Sequence, residues 1–162
     1  MIVVADSTPL IYLAWIKHLD LLKLLYGTLI VPEAVYREVV DNGASEPSQI
    51  EVSRAAWIVV KHCSDIDLFS RLSVDLDEGE SEAITLAVEL SADQLVIDEF
   101  KGRAKAMELE IPVIGTLGIL LEAKLKGLIP DVKGLISLLV NETSFRVSEQ
   151  VLAKVLELAN EK

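Results

Sequence analysis

Short unbroken apolar runs alternate with longer stretches of helical periodicity along this chain. Residues 2–5, Thr28-Leu29-Ile30-Val31, Trp57-Ile58-Val59-Val60, Leu95-Val96-Ile97 and Ile111-Pro112-Val113-Ile114 have strand length. Residues 2–5 read as a short strand covered on both faces. Pro112 cannot donate to a ladder, which puts the fifth strand at an edge. Between these runs the period changes to that of a helix. Thr8 as cap and Pro9 as first residue open one whose apolar side is Leu10, Leu13, Ala14 and Ile16. A second runs through Leu19–Leu25 and stops at Gly27. Pro32 opens a third, Glu33 to about Val40, and the turn-rich segment Asn42–Ser48 precedes a fourth over 48–56. Residues 64–76 predict a short helix or a loop. Further helices are expected over 100–109, from Gly115-Thr116-Leu117-Gly118 to Lys126, and over 130–140 and 148–160, the last two linked by Asn141-Glu142-Thr143-Ser144.

The strongest pattern lies at Glu80–Leu90. At about 100° per residue, Ala83, Ile84, Ala87, Val88 and Leu90 share one arc. Glu80 falls inside that arc, whereas Glu82, Thr85 and Glu89 fall opposite. Asp77 with Glu80 also reads as a capping box, which accounts for acids at this helix start without any chemistry. Strands alternating with helices indicate an α/β domain with a parallel sheet, right-handed crossovers and helices on both faces. The expected organisation is one domain over 1–162, with 128–162 as a C-terminal helical extension.

Composition narrows the choices. The net charge of −11 excludes a simple nucleic-acid-coating protein but suits a basic protein partner. The one cysteine, Cys63, forms no internal disulfide, which fits a reducing cytoplasm. The opening residues lack a basic segment and no apolar run reaches membrane-spanning length, so neither a signal peptide nor a membrane span is expected. His18 and His62 are too few for a histidine metal site.

The chemistry therefore rests on carboxylates. Ligand sites in open parallel sheets form beyond the carboxyl ends of the strands. Asp6 and Asp98 each follow a buried run, and Glu38 and Glu80 lie on helices that could lean over the same edge. Three of them also have a plainer reading: Glu80 in the capping box, Asp98 as an N-cap, Glu38 as the rim of an amphipathic helix. Four clustered carboxylates repel unless a proton or cation balances them. Oxygen ligands without histidine or cysteine suit Mg²⁺ or Mn²⁺, and such a cluster can assist attack of water on a phosphodiester. A phosphoacceptor role for Asp6 fits poorly, because no aspartate follows two residues on and no lysine follows the fifth strand.

Four segments together carry a family resemblance: Val4-Ala5-Asp6-Ser7-Thr8-Pro9-Leu10-Ile11, Pro32-Glu33-Ala34-Val35-Tyr36-Arg37-Glu38, Asp77-Glu78-Gly79-Glu80-Ser81-Glu82-Ala83-Ile84 and Ile97-Asp98-Glu99-Phe100-Lys101-Gly102-Arg103. In this order and spacing the chain resembles PIN-domain proteins, in the prokaryotic PIN-like branch related to toxin ribonucleases of toxin–antitoxin operons. The resemblance runs from Met1 to about Lys126 and extends more weakly into the tail. It implies a three-layer α/β/α domain whose sheet of four to five strands has the order 3-2-1-4-5, with extra C-terminal helices. It also implies Mg²⁺- or Mn²⁺-dependent cleavage of RNA and a small basic antitoxin as partner. Asp6, Glu38 and Asp98 match acids of the family pattern; the remaining acid is Glu80, with Glu82 as the alternative. Thr8 and Thr116 are candidates to hydrogen-bond the acids, and Glu99 to support them. Arg103 reads either as an i,i+4 partner of Glu99 or as a phosphate contact. The chain departs from the minimal toxin pattern in its extra helices and in lacking a basic face. These departures leave room for an inactive PIN-like interaction module, or for a homo-oligomer that builds its groove between subunits.

Overall fold

A computed structural model of the chain describes residues 1–43 and 45–162. Ala44, inside the expected loop 42–48, lies outside the described residues. The five strands are β1 (Val3–Ala5), β2 (Leu29–Pro32), β3 (Ile58–Lys61), β4 (Gln94–Val96) and β5 (Val113–Ile114). They form one parallel sheet in the order β3-β2-β1-β4-β5, as expected, with β5 at an edge.

Alternation along the strands sorts the core into two layers. Val3 and Ala5 of β1 and Val96 of β4 face one layer. It is built by α1 (Ser7–Trp15), α2 (Leu21–Tyr26), α4 (Glu46–Arg54), α8 (Thr116–Leu125), α9 (Lys133–Glu142) and α10 (Glu149–Leu158). Val4, Leu95 and Ile97 face the opposite layer, built by α5 (Ile66–Leu72), α6 (Glu78–Glu89) and α7 (Phe100–Glu108). Successive side chains of a strand point to opposite faces, so these short buried runs feed both cores at once. The tail is not peripheral: Ile136, Leu139, Phe145 and Val155 share the core of β1 and α1. No helix among the described residues is long and apolar enough to cross a membrane.

Several local expectations change. Helix α1 starts at Ser7, so Asp6 rather than Thr8 is the capping position, and its side chain makes no capping bond. Pro47 sits in the first turn of α4, where its missing N–H is harmless, and Ser45 caps that helix. The helix expected from Glu33 to Val40 is α-helical only over Glu33–Tyr36, which we label α3. It widens at Arg37–Asp41 into a π turn, closed by the Asn42 amide on the Arg37 carbonyl at 2.8 Å. Segment 64–76 contains α5, and α9 runs through Glu142 into the expected 141–144 link. The Asp77–Glu80 capping box forms, with bonds of 2.8 and 3.1 Å. On the far side of α6 Glu82 is buried and Thr85 fully so, while Glu89 is exposed, and Val88 of the expected apolar arc is exposed as well. Helix α3 packs across the far side, which periodicity within α6 alone cannot reveal.

Candidate metal centre and adjoining cleft

Asp6 follows β1 directly. Its amide continues the ladder to the Val96 carbonyl at 2.9 Å, which fixes its backbone at the carboxyl edge of the sheet. Its carboxylate is 3 % exposed, and Oδ1 is buried without a hydrogen-bond partner. Burial pushes its pKa up to about 8; the Ser7 amide opposes this, and Asp77, Glu80 and Glu38 add to it. The three other carboxylates therefore lie near enough to repel a charge on Asp6.

Glu80 reaches the same place from the start of α6. Its Oε1 accepts from the Asp77 amide in the capping box, whereas Oε2 is buried with no partner. One Glu80 oxygen thus serves the cap and the other is left without a partner. Burial is again the main cause that lifts its pKa, to about 7; the Asp77 amide opposes this, and the Asp77 and Glu99 carboxylates add to it. One glycine lets a neighbouring element come close: a Cβ on Gly102 would meet Glu80 Oε2 at 3.2 Å and Ile97 Cδ1 at 2.6 Å, whereas one on Gly79 would make only ordinary contact with Asp6 Oδ1 at 3.5 Å. Glu38 stands half-buried in the π turn.

Asp98 lies on the same edge but follows the other parity. The register pairs Ala5 with Val96, so Asp98 has the parity of Val96 and leans toward the α8 layer, whereas Asp6 has the parity of Val4 and leans toward α6. Both Asp98 oxygens are taken by Thr116: the amide to Oδ1 at 2.7 Å and the hydroxyl to Oδ2 at 2.6 Å. Burial raises its pKa, while Thr116 and Arg103 oppose the shift. Asp98 therefore caps α8, not the α7 helix that follows it. Arg103 does not pair with Glu99; its Nη1 donates to the Ile97 carbonyl at 2.8 Å. Glu99 is exposed at the cap of α7. Glu82 belongs elsewhere, beside Glu78, Arg37 and Glu33; burial raises its pKa and the Ala34 amide opposes that. Thr8 lines the cleft next to Asp98 without a hydrogen bond to the acids among the described residues.

The structure thus groups Asp6, Glu38 and Glu80, adds Asp77 to them, and sets Asp98 with Thr116 and Arg103. Among the described residues no three His, Cys, Asp or Glu side chains are already placed to hold one metal ion. The donor chemistry nevertheless fits a hard divalent cation. Two orphaned buried oxygens, Asp6 Oδ1 and Glu80 Oε2, stand in an all-oxygen setting that disfavours their own charge. Asp77 escaped the sequence reading because its capping role explained it fully; an inward Glu80 three residues on was the available signal.

Next to Asp98 a cleft of about 690 Å³ opens between the β5 edge, α8 and the tail. Gly115 shapes the junction. A Cβ there would approach Asp98 Oδ1 to 2.6 Å and Arg103 Nη1 to 3.0 Å. The carboxylate is tied to the Thr116 amide and cannot retreat without breaking that bond. We expect Gly115→Ala to cost about 1–3 kcal/mol in urea unfolding, the usual price of overpacking. The loss should shrink in an Asp98→Ala background, where the obstructing oxygen is gone.

The chain matches the model of a family described as PIN domain over residues 2–161. No curated protein and no solved structure gives a significant match.

Proposed function

The chain belongs to the PIN-domain family, and on that premise we propose that it is a divalent-metal-dependent endoribonuclease, the toxin component of a toxin–antitoxin pair in the cytoplasm. PIN domains are as a class nucleases, so hydrolysis of a phosphodiester is the chemistry to account for. The observation that carries the reading is the pair of partnerless buried oxygens, Asp6 Oδ1 and Glu80 Oε2, at the carboxyl edge of β1. Leaving two acceptors unsatisfied in a folded protein is costly, and a positive ligand at that point removes the cost.

Asp6 and Glu80 would be the primary holders of Mg²⁺ or Mn²⁺, with Glu38 beside them, and Asp98 would offer the lone pairs that its two Thr116 bonds leave free. When bound, such an ion activates water and offsets charge on the phosphate oxygens. The chain supplies the rest. The capping box fixes Glu80, so that only Oε2 remains free. Thr116 holds Asp98 at a set angle through two bonds. Arg103, anchored on the Ile97 carbonyl, keeps further N–H donors for a substrate phosphate beside Asp98. The net charge of −11 favours a small basic antitoxin.

The test is cleavage of single-stranded RNA with Mg²⁺ or Mn²⁺. Glu80→Gln and Asp98→Asn should each lose about 100-fold or more in kcat. Parent-like rates in both would reject the site. A second reading, an inactive PIN-like interaction module, is favoured by the absence of three already convergent ligands among the described residues. In that case the parent neither cleaves RNA nor gains thermal stability from millimolar Mn²⁺.

A further inference from the structure

The cleft beside Asp98 is built for more than water. Its floor is apolar, from Ile114 and Leu117, and its far wall comes from the tail, with Val151 and Val155 of α10. Tyr12 and Phe145 meet there edge to face, centroids 5.5 Å apart and planes at 89°. The Tyr12 hydroxyl is held by Ser144 Oγ at 3.1 Å. At the cleft margin stands Phe100, 81 % exposed and two residues from Asp98. An aromatic ring so exposed contributes nothing to the core.

Charge in the cleft departs from that of the molecule. The chain carries −11, yet here Arg103 and Arg146 balance Asp98 and Glu99. Arg146 is braced by Nη1 on the carbonyls of Val140, Thr143 and Phe145, which leaves its other N–H groups free of those bonds. One exposed aromatic ring, Phe100, and an apolar lining next to two anchored guanidiniums suit a ligand with a flat ring and an adjoining phosphate. An apolar peptide would leave the guanidiniums unused, and free phosphate would leave the ring unused.

We infer that this cleft binds one unpaired nucleotide of an RNA strand, its base against the exposed Phe100 ring and the apolar lining, its phosphate at Arg103 and Arg146. The strand is thereby led past Asp98, so the helical tail acts as a substrate-positioning wall. This role in cleavage rests on the ribonuclease reading, but binding in the cleft does not.

The test is fluorescence anisotropy with an end-labelled single-stranded hexaribonucleotide in EDTA, where no cleavage intervenes. Phe100→Ala and Val151→Glu alter exposed side chains, so melting temperatures should stay near the parent value. Each should raise Kd roughly tenfold, the scale of one lost stacking contact or one misplaced charge. A hexamer of abasic units should bind the parent more weakly by a similar factor. Parent-like Kd in both variants, equal binding of the abasic strand, or no binding by the parent overturns the inference. If RNA is cleaved while both variants keep the parent Kd and KM, the cleft assignment falls and the nuclease reading stands. If binding weakens as expected but nothing is cleaved, the reverse holds.

Discussion

In Asp6→Asn, RNA cleavage falls by about 10³-fold or more while the metal-free protein melts at a higher temperature than the parent at pH 8. The two effects have one cause. Asp6 is 3 % exposed, its Oδ1 lacks a partner, and three other carboxylates crowd it. A charge there opposes folding and is retained only if the site uses it. Asparagine keeps the shape and removes the charge, so folding gains what catalysis loses. Paired assays settle the point: cleavage rate with Mn²⁺, and thermal melting in EDTA. A variant that is less active and also less stable than the parent at pH 8 would show that Asp6 is held by structural bonds instead.

The metal-free parent should lose stability as pH rises from about 4 to about 8. Burial lifts Asp6 from 3.8 to about 8 and Glu80 from 4.5 to about 7. A group with a raised folded pKa contributes stability that is complete below its unfolded pKa and gone once pH passes the folded one. At roughly 1.4 kcal/mol per unit the shift at Asp6 is worth several kcal/mol, or a melting drop on the order of 10 °C. Burial also raises Glu82 and Asp98, so they act in the same direction. For Glu161 burial acts upward, but the Val132 and Lys133 amides and Lys124 outweigh it and lower the pKa. Its contribution is therefore lost only below the ordinary carboxylate range, outside this window. Millimolar Mn²⁺ at pH 8 should restore much of the lost stability, because a cation bound only by the folded state stabilises it by mass action. Asp6→Asn should flatten the pH profile and blunt the response to metal. A parent melting curve indifferent to pH between 5 and 8 would mean that the orphaned oxygens are solvated after all.

Strand and helix positions were legible because periodicity is a local property. Val3, Val4 and Ala5 read as doubly covered, and they are: odd residues face the α1 side and Val4 faces α6. The capping box of Asp77 and Glu80 was legible for the same reason, since both partners lie within one turn. Glu82 was misjudged because its surroundings come from α3, more than forty residues earlier in the chain. Of the two readings of Arg103 the ion pair with Glu99 does not form, because the carbonyl it bonds belongs to Ile97, in the extended segment before α7, and not to its own helical face.

What the residues alone determined was therefore where the strands and helices lie and that acids end two of the strands, but not that β3 leaves Val59 and Val60 exposed. Tertiary structure decided where those acids point. Register gives Asp6 and Asp98 opposite parity, which sends one carboxylate toward α6 and commits the other to Thr116. It also decided that Asp6 Oδ1 and Glu80 Oε2 are left without partners at one edge of the sheet, as Glu51 Oε2 is elsewhere, and that the tail returns to wall the cleft beside Asp98. The reason is physical: amphipathic pattern and capping are settled within a few residues, whereas desolvation and charge crowding depend on everything packed around a group, from any distance along the chain.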